Sequence, residues 1–271
     1  IKPIYQTENQ YSRGINPYSA FVYPRAQGKY IALCEGDDYW IDPYKLQKQV
    51  EFLENNKNVS IVIHPVKLEK DGMIINERKF GLGKENRFFY STDVIRERDQ
   101  FAATCSYVLR KEVVKQLPSW SDRYPVGDFL LEMYSQKVGK GLYLPDVMGV
   151  YRISTHNSWT NRVLAIPTQR KIFSINMMTY YTKLKEDFPK LTEVDFSTRE
   201  IATIHSICES SLIIGDFNCF NQWVTILEKK YSKYLQKKTS IVVFKNYPQI
   251  LHIYLKLRNK IVFILKKYNI K

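Results

Sequence analysis

What this chain has little of narrows its class first. Its four cysteines, Cys34, Cys105, Cys208 and Cys219, form no CxxC pair and no Cys/His metal spacing. That excludes a disulfide framework and a cysteine-held structural zinc, and it fits a reducing compartment. No uninterrupted apolar run reaches transmembrane length, and the opening stretch does not read as a signal peptide. Acidic residues are missing from one region altogether: residues 241–271 hold seven Lys or Arg and no Asp or Glu. That region supplies half of the net charge of +14. A basic balance attracts nucleic acid, anionic lipid or phosphorylated substrates. The concentration of charge in the tail, with no recognised RNA- or DNA-binding motif, argues against nucleic acid.

What is present indicates a folded protein. The chain is 44% hydrophobic and 25% charged over 271 residues, enough for one large domain or a domain with an appendage. Aromatics make up 14%, with 20 Tyr. Carbohydrate and nucleobase sites use such rings, and a compositional bias toward Tyr, Lys, Ile and Asn produces the same surplus.

Up to about residue 160, strand and helix patterns alternate. Residues 1–8 read as a strand, 17–27 as a helix with Pro17 in its first turn, and 30–34 as a buried strand. Asp42-Pro43 starts an amphipathic helix with Leu46, Val50 and Leu53 on one face. Strands follow over 59–64, 104–109, 142–144 and 147–153, with a hairpin turn at Lys70-Asp71-Gly72 and an irregular stretch over 78–90. Short helices are expected after Ser91, over 111–117 and over 128–138. Beyond 160 only helical patterns remain, over 161–185, 197–213, 216–235 and from about 248. This predicts an α/β domain over 1–160 and a helical region over 161–271.

The chemistry concentrates in Glu35-Gly36-Asp37-Asp38-Tyr39-Trp40, where an apolar strand stops in three carboxylates within four residues. Carboxylates this close repel one another and lose hydration if buried, so a cation is expected to sit among them. The alternative is a capped strand–helix turn with solvated acids. Asp128, after Gly127 at a helix start, stands where a helix cap is favoured. His64, at a strand end, reads as structural. Tyr39, Trp40 and Trp120 can stack on a ligand or pack in the core.

Several blocks in order resemble family 2 glycosyltransferases of the GT-A fold: Asn9-Gln10-Tyr11-Ser12, Ala26-Gln27-Gly28-Lys29-Tyr30-Ile31-Ala32, Glu35 to Trp40 with Asp42-Pro43, Lys45 to Gln49, Leu117 to Trp120, Gly127-Asp128 and Val147 to Arg152. The resemblance covers roughly residues 9–160. It implies a nucleotide-diphospho-sugar transferase sheet, Rossmann-like and flanked by helices. It also implies inverting transfer from a nucleotide-sugar donor to a hydroxyl acceptor in surface-polysaccharide or lipid-linked glycan synthesis, with Mg²⁺ or Mn²⁺. Carried over residue by residue, it makes Asp38 a metal ligand and Asp128 the base, and gives Asp37, Glu35, Arg152 and Trp159 to the donor. Gly127 departs from the family's acidic pair. The family's histidine is expected at the position Ser154 holds, so His156 becomes the substitute metal ligand.

The strands that open this fold and hold the nucleobase have no counterpart, which predicts a native product longer at its N-terminus by roughly 60–80 residues. A non-catalytic, degenerate GT-A binding protein is the alternative function. The tail from Gln249 to Tyr268 reads either as a cationic amphipathic helix on an anionic membrane or as a helix packed back on the appendage. A cytoplasmic location is expected, at the inner face of the membrane if the tail binds lipid.

Overall fold

The computed structural model describes residues 3–10, 13–124, 126–153, 163–234 and 245–267, with backbone alone for 259–267. The chain divides into two units, Ile1–Thr155 and His156–Lys271. The first is mixed α/β with two mixed sheets, and the second is helical.

The first unit begins without the expected strand. Residues 3–8 are irregular, with Tyr5 89% exposed, and no described strand pairs with them. The expected helix over 17–27 splits into a π-turn, Tyr18–Val22, and a 3₁₀ turn, Tyr23–Arg25. Pro24 is the cause. It has no N–H to give the Ala20 carbonyl and its ring crowds that carbonyl, so the Tyr23 N–H reaches back to Tyr18 O.

The elements that follow are β1 (Tyr30–Ala32), β2 (Tyr39–Trp40), α1 (Lys45–Asn55), β3 (Val59–Ile63), β4 (Val66–Lys70), β5 (Met73–Lys79), β6 (Arg87–Phe89), α2 (Ser91–Arg96), β7 (Val108–Arg110), α3 (Glu112–Lys115), α4 (Gly127–Ser135), β8 (Lys140–Tyr143) and β9 (Gly149–Ile153). One sheet runs β1-β7-β3-β8-β6 and is parallel only between β3 and β8. The other runs β2-β9-β4-β5 and is parallel only between β9 and β4. The chain passes from one sheet to the other at His64-Pro65, where proline cannot continue a ladder. His64 is fully buried there and its Nδ1 lies 2.9 Å from Pro65 O. Burial pushes its pKa down to about 3, so the ring is neutral.

The core under the first sheet joins Leu53 of α1 to Val59, Val62, Val108, Leu142, Leu144 and Met148. Burying each such side chain contributes about 1.5–3 kcal/mol. Of the expected Leu46/Val50/Leu53 face of α1, Leu53 is fully buried and Val50 packs against the core, but Leu46 is 40% exposed and Lys45 and Gln49 are buried beside Leu53. The reason is hydrogen bonding: Gln49 Nε2 donates to Val62 O at 2.9 Å and Ser106 O at 2.8 Å, filling acceptors that the short strands leave open. The helix also starts later than Asp42. That carboxylate accepts from Tyr44 N at 2.7 Å and from Lys48 Nζ at 2.9 Å.

Two glycine requirements fix local geometry. The β4–β5 turn has positive φ at Asp71 (51°) and Gly72 (78°), the hairpin turn expected from that dipeptide. In β8, a Cβ on Gly141 would lie 2.2 Å from the Phe89 ring of β6. Two other elements differ from expectation: residues 104–106 form a 3₁₀ turn before β7, and β6 lies inside the stretch read as irregular.

The second unit consists of α5 (Pro167–Asp187), α6 (Glu193–Ile214), α7 (Phe217–Tyr231), a 3₁₀ turn over Ser232–Tyr234 and α8 (Pro248–Lys267). Helix α6 starts before the expected residue 197 because Thr192 caps it, with Asp195 Oδ2 accepting from Thr192 N at 2.7 Å. Gly215, at φ 81°, ends α6, and Asp216 Oδ1 caps α7 by accepting from Cys219 N at 3.1 Å. Ile204, Cys208 and Leu212 of α6, Phe220, Val224 and Leu227 of α7, and Leu251 and Leu255 of α8 form the core. Among the described residues, no helix is long and apolar enough to cross a membrane.

Candidate active site

β1 ends in a tight acidic turn. Leu33, buried, extends the pairing through Leu33 N to Tyr107 O at 3.1 Å, and the chain then bends so that Asp38 N donates to Glu35 O at 3.1 Å. β2 follows at once and pairs with β9. That pairing sets Arg152 against the turn. Its backbone N–H donates to Asp38 Oδ1 at 2.9 Å, and its Nη1 donates to Asp37 O at 3.2 Å. The guanidinium is also anchored to Glu69 and Tyr39. Its Nε donates to Glu69 Oε1 at 2.7 Å and its carbon lies 4.6 Å from the centre of the Tyr39 ring, while Tyr39 OH donates to Glu69 Oε2 at 2.8 Å.

Asp38 is 8% exposed, and its Oδ2 is buried without a hydrogen-bond donor from nitrogen or oxygen; the weak thiol donor of Cys105 faces it. Burial pushes the Asp38 carboxyl up to about 6, against the pull of its Arg152 and Cys105 hydrogen bonds. Glu35 is pushed further, to about 7, by burial first and then by Asp128, Asp38 and Asp37, with a hydrogen bond to Thr104 opposing.

Asp128 comes from the first turn of α4, distant in sequence. Its Oδ1 accepts from Phe129 N at 2.8 Å and its Oδ2 from Gln100 Nε2 at 3.2 Å. Behind it, Glu132 is 2% exposed and accepts from Tyr107 OH and from Ala102 N. Asp128 joins Asp38 and Asp37 in raising the Glu35 carboxyl, so the start of α4 lies within electrostatic reach of the turn after β1. His156 and Trp159, like Ser154, lie outside the described residues.

Three residues at this spot were not singled out from the pattern. Tyr151 of β9 has its phenol raised by burial and then by the charges of Glu35, Asp38, Asp128 and Asp37, which places it within their electrostatic reach. Tyr18 is raised by burial and then by Glu35 and Asp37. Gln100 holds Asp128. Only the strand alternation of 149–153 could have flagged Tyr151; nothing local flags the other two. Trp40 leans toward the packing reading, since its Nε1 donates to Cys105 O at 2.9 Å and the Lys45 ammonium lies 4.2 Å from its ring centre. Trp120 meets Tyr124 and Tyr134 edge-on.

The donor set suits a hard divalent cation. Carboxylates are its preferred ligands, and Mg²⁺ commonly takes one or two of them and completes its shell with water and phosphate. The buried, undonated Oδ2 of Asp38 and the raised Glu35 are both groups whose ionised form a cation would favour. Among the described residues, no group of three or more His, Cys, Asp or Glu is arranged to hold a metal alone.

No family model matches the chain. The chain is 34% identical over 151 residues to an uncharacterized protein of Mycobacterium bovis and to uncharacterized proteins of two strains of Mycobacterium tuberculosis. The match takes in 54% of this chain, which spans 41% of the length of these curated relatives.

Proposed function

We propose that this chain is part of a family 2 glycosyltransferase with a GT-A type domain, transferring a sugar with inversion from a nucleotide-diphosphate sugar to a hydroxyl of a surface polysaccharide or lipid-linked glycan in the cytoplasm. The observation that supports this most is the convergence of the acidic turn, Glu35, Asp37 and Asp38, on Asp128 of α4. Two carboxylate sources at one place suit a reaction that needs both charge compensation and proton removal.

In this reading Asp38 and Asp37 hold Mg²⁺ or Mn²⁺, which when bound offsets the charge developing on the diphosphate leaving group. Asp128 accepts the acceptor hydroxyl's proton as that oxygen attacks the anomeric carbon. Gln100 keeps the Asp128 carboxylate oriented through Oδ2, leaving Oδ1 at the helix start. Arg152 braces the turn from β9 through its backbone N–H and Nη1, and its guanidinium, held by Glu69, stands beside the turn where the donor would bind. Tyr18 and Tyr151 supply walls that limit water around the acids.

The test is release of nucleoside diphosphate from a panel of nucleotide sugars with and without Mn²⁺. It is run on the 271-residue chain. Mn²⁺-dependent release from one donor, abolished in Asp38→Ala, is the expected result. Neither release nor thermal stabilisation by any donor would reject the reading. Stabilisation without release would favour a binding protein.

A further inference from the structure

Helix α8 has two apolar faces, and only one is covered. Leu251 and Leu255, each 6% exposed, pack into the core of α6 and α7. That face is fixed further by His252, whose Nδ1 meets Leu212 O and whose ring stands 5.7 Å from Phe217, and by Arg258, whose Nη2 donates to Glu209 at 2.6 Å. Ile250, Ile253, Tyr254 and Leu257 follow the i, i+3, i+4, i+7 spacing of a single helix face, and they are 55–58% exposed. Tyr247, 60% exposed, extends the row. A lone exposed leucine is ordinary, but five large apolar side chains within eleven residues are a patch that needs a partner.

Charge indicates the partner's chemistry. Residues 241–271 carry seven cations and no acid in sequence; Lys245 and Arg258 pair with Glu228 and Glu209, and Lys256 is exposed beside the row. A second copy laid on this face would set one cationic tail against another, and like charges oppose that pairing. An anionic bilayer offers the opposite charge together with an apolar interior. We propose that α8 docks on an anionic lipid surface, lying in the interfacial plane with Ile250, Ile253, Tyr254 and Leu257 inserted and Lys256 at the headgroups. The helix stays anchored to its unit through Leu251 and Leu255, so docking brings the folded chain to the membrane. This does not depend on the glycosyl-transfer reading.

The experiment is co-sedimentation of the full chain with vesicles of phosphatidylcholine alone and of phosphatidylcholine mixed with phosphatidylglycerol. Binding is expected to the mixed vesicles only and to fall as salt rises. Leu257→Glu should weaken it at least ~10-fold and Lys256→Gln about 5-fold. Both positions are exposed, so the core is untouched; circular dichroism checks the fold. A separate variant, Tyr254→Trp, should shift its emission to shorter wavelength on the mixed vesicles. Equal binding to both compositions, no binding, or an unshifted tryptophan overturns the proposal. So does a dimer in sedimentation velocity that Leu257→Glu disperses, which would make the face an interface between copies.

Discussion

The two units treat buried acids in opposite ways. In the helical unit three of the buried or half-buried carboxylates have a compensating group, although Glu200 Oε2 is buried without a hydrogen-bond partner. Glu200, 3% exposed, accepts from Lys185 Nζ at 2.7 Å. Asp195 takes the Thr192 backbone and hydroxyl, and Asp216 takes Lys171 Nζ at 2.6 Å, which holds its carboxyl below the usual range. In the α/β unit, Glu35, Asp37, Asp38 and Asp128 are crowded together, and Glu35 and Asp38 are pushed up to about 7 and about 6. The nearby Arg152 guanidinium is held by Glu69. The first pattern belongs to groups that hold a fold together. The second costs stability, which is tolerated where a bound group is to supply the missing charge.

The comparison can be broken most sharply at Asp128. On the proposed reading Asp128→Asn lowers transfer by ~10²-fold or more while donor binding, read by thermal shift, persists. Near-normal turnover would remove Asp128 as the base. In the helical unit, Lys185→Met leaves Glu200 buried without its cation and should cost ~1–3 kcal/mol in urea unfolding. An unchanged midpoint would mean that the pairing there is decorative.

Asp38→Asn should act in the opposite direction. It removes a charge from the crowd and keeps an oxygen for Arg152 N, so the metal-free protein gains about 1 kcal/mol. Stabilisation by Mn²⁺ with a nucleoside diphosphate should vanish in the same variant. A destabilised Asp38→Asn would show that the acidic turn is structural.

The smallest effect concerns Lys45, buried 4.2 Å from the Trp40 ring centre and donating to Gln49 at 2.8 Å. Burial pushes its ammonium down to about 8 from the ordinary 10.5. Between these values the unfolded chain binds more protons than the folded one, so Lys45 makes stability rise with pH across that window. Lys45→Met should flatten the rise and change stability at neutral pH by less than about 1 kcal/mol. An unaltered slope would assign it to other groups.

How much of this could be read in advance varied with range. Local chemistry was legible: the Asp71-Gly72 turn from its positive φ, the α6–α7 hairpin from Gly215 and Asp216, and the acidic turn itself from four consecutive positions. Errors arose where a distant partner outweighed the local pattern. Residues 3–8 look like a strand, and no described strand pairs with them. The apolar stripe of α1 pointed to Leu46, which stays exposed, and Gln49 is buried by reaching Val62 O and Ser106 O. The β6 strand, in a glycine-bearing stretch, exists because β8 offers an edge beside Gly141.

By itself the sequence determined the alternating α/β half, the helical half, the cationic tail and the three acids at a strand end, because caps, turns and periodicity act over a few residues. Only the tertiary structure decided that the sheet divides at His64-Pro65, and that Tyr151 and Asp128 come within electrostatic reach of the acidic turn. Those relations depend on pairings between elements far apart in the chain, where burial and hydrogen-bond completion select the partner and no local pattern records it.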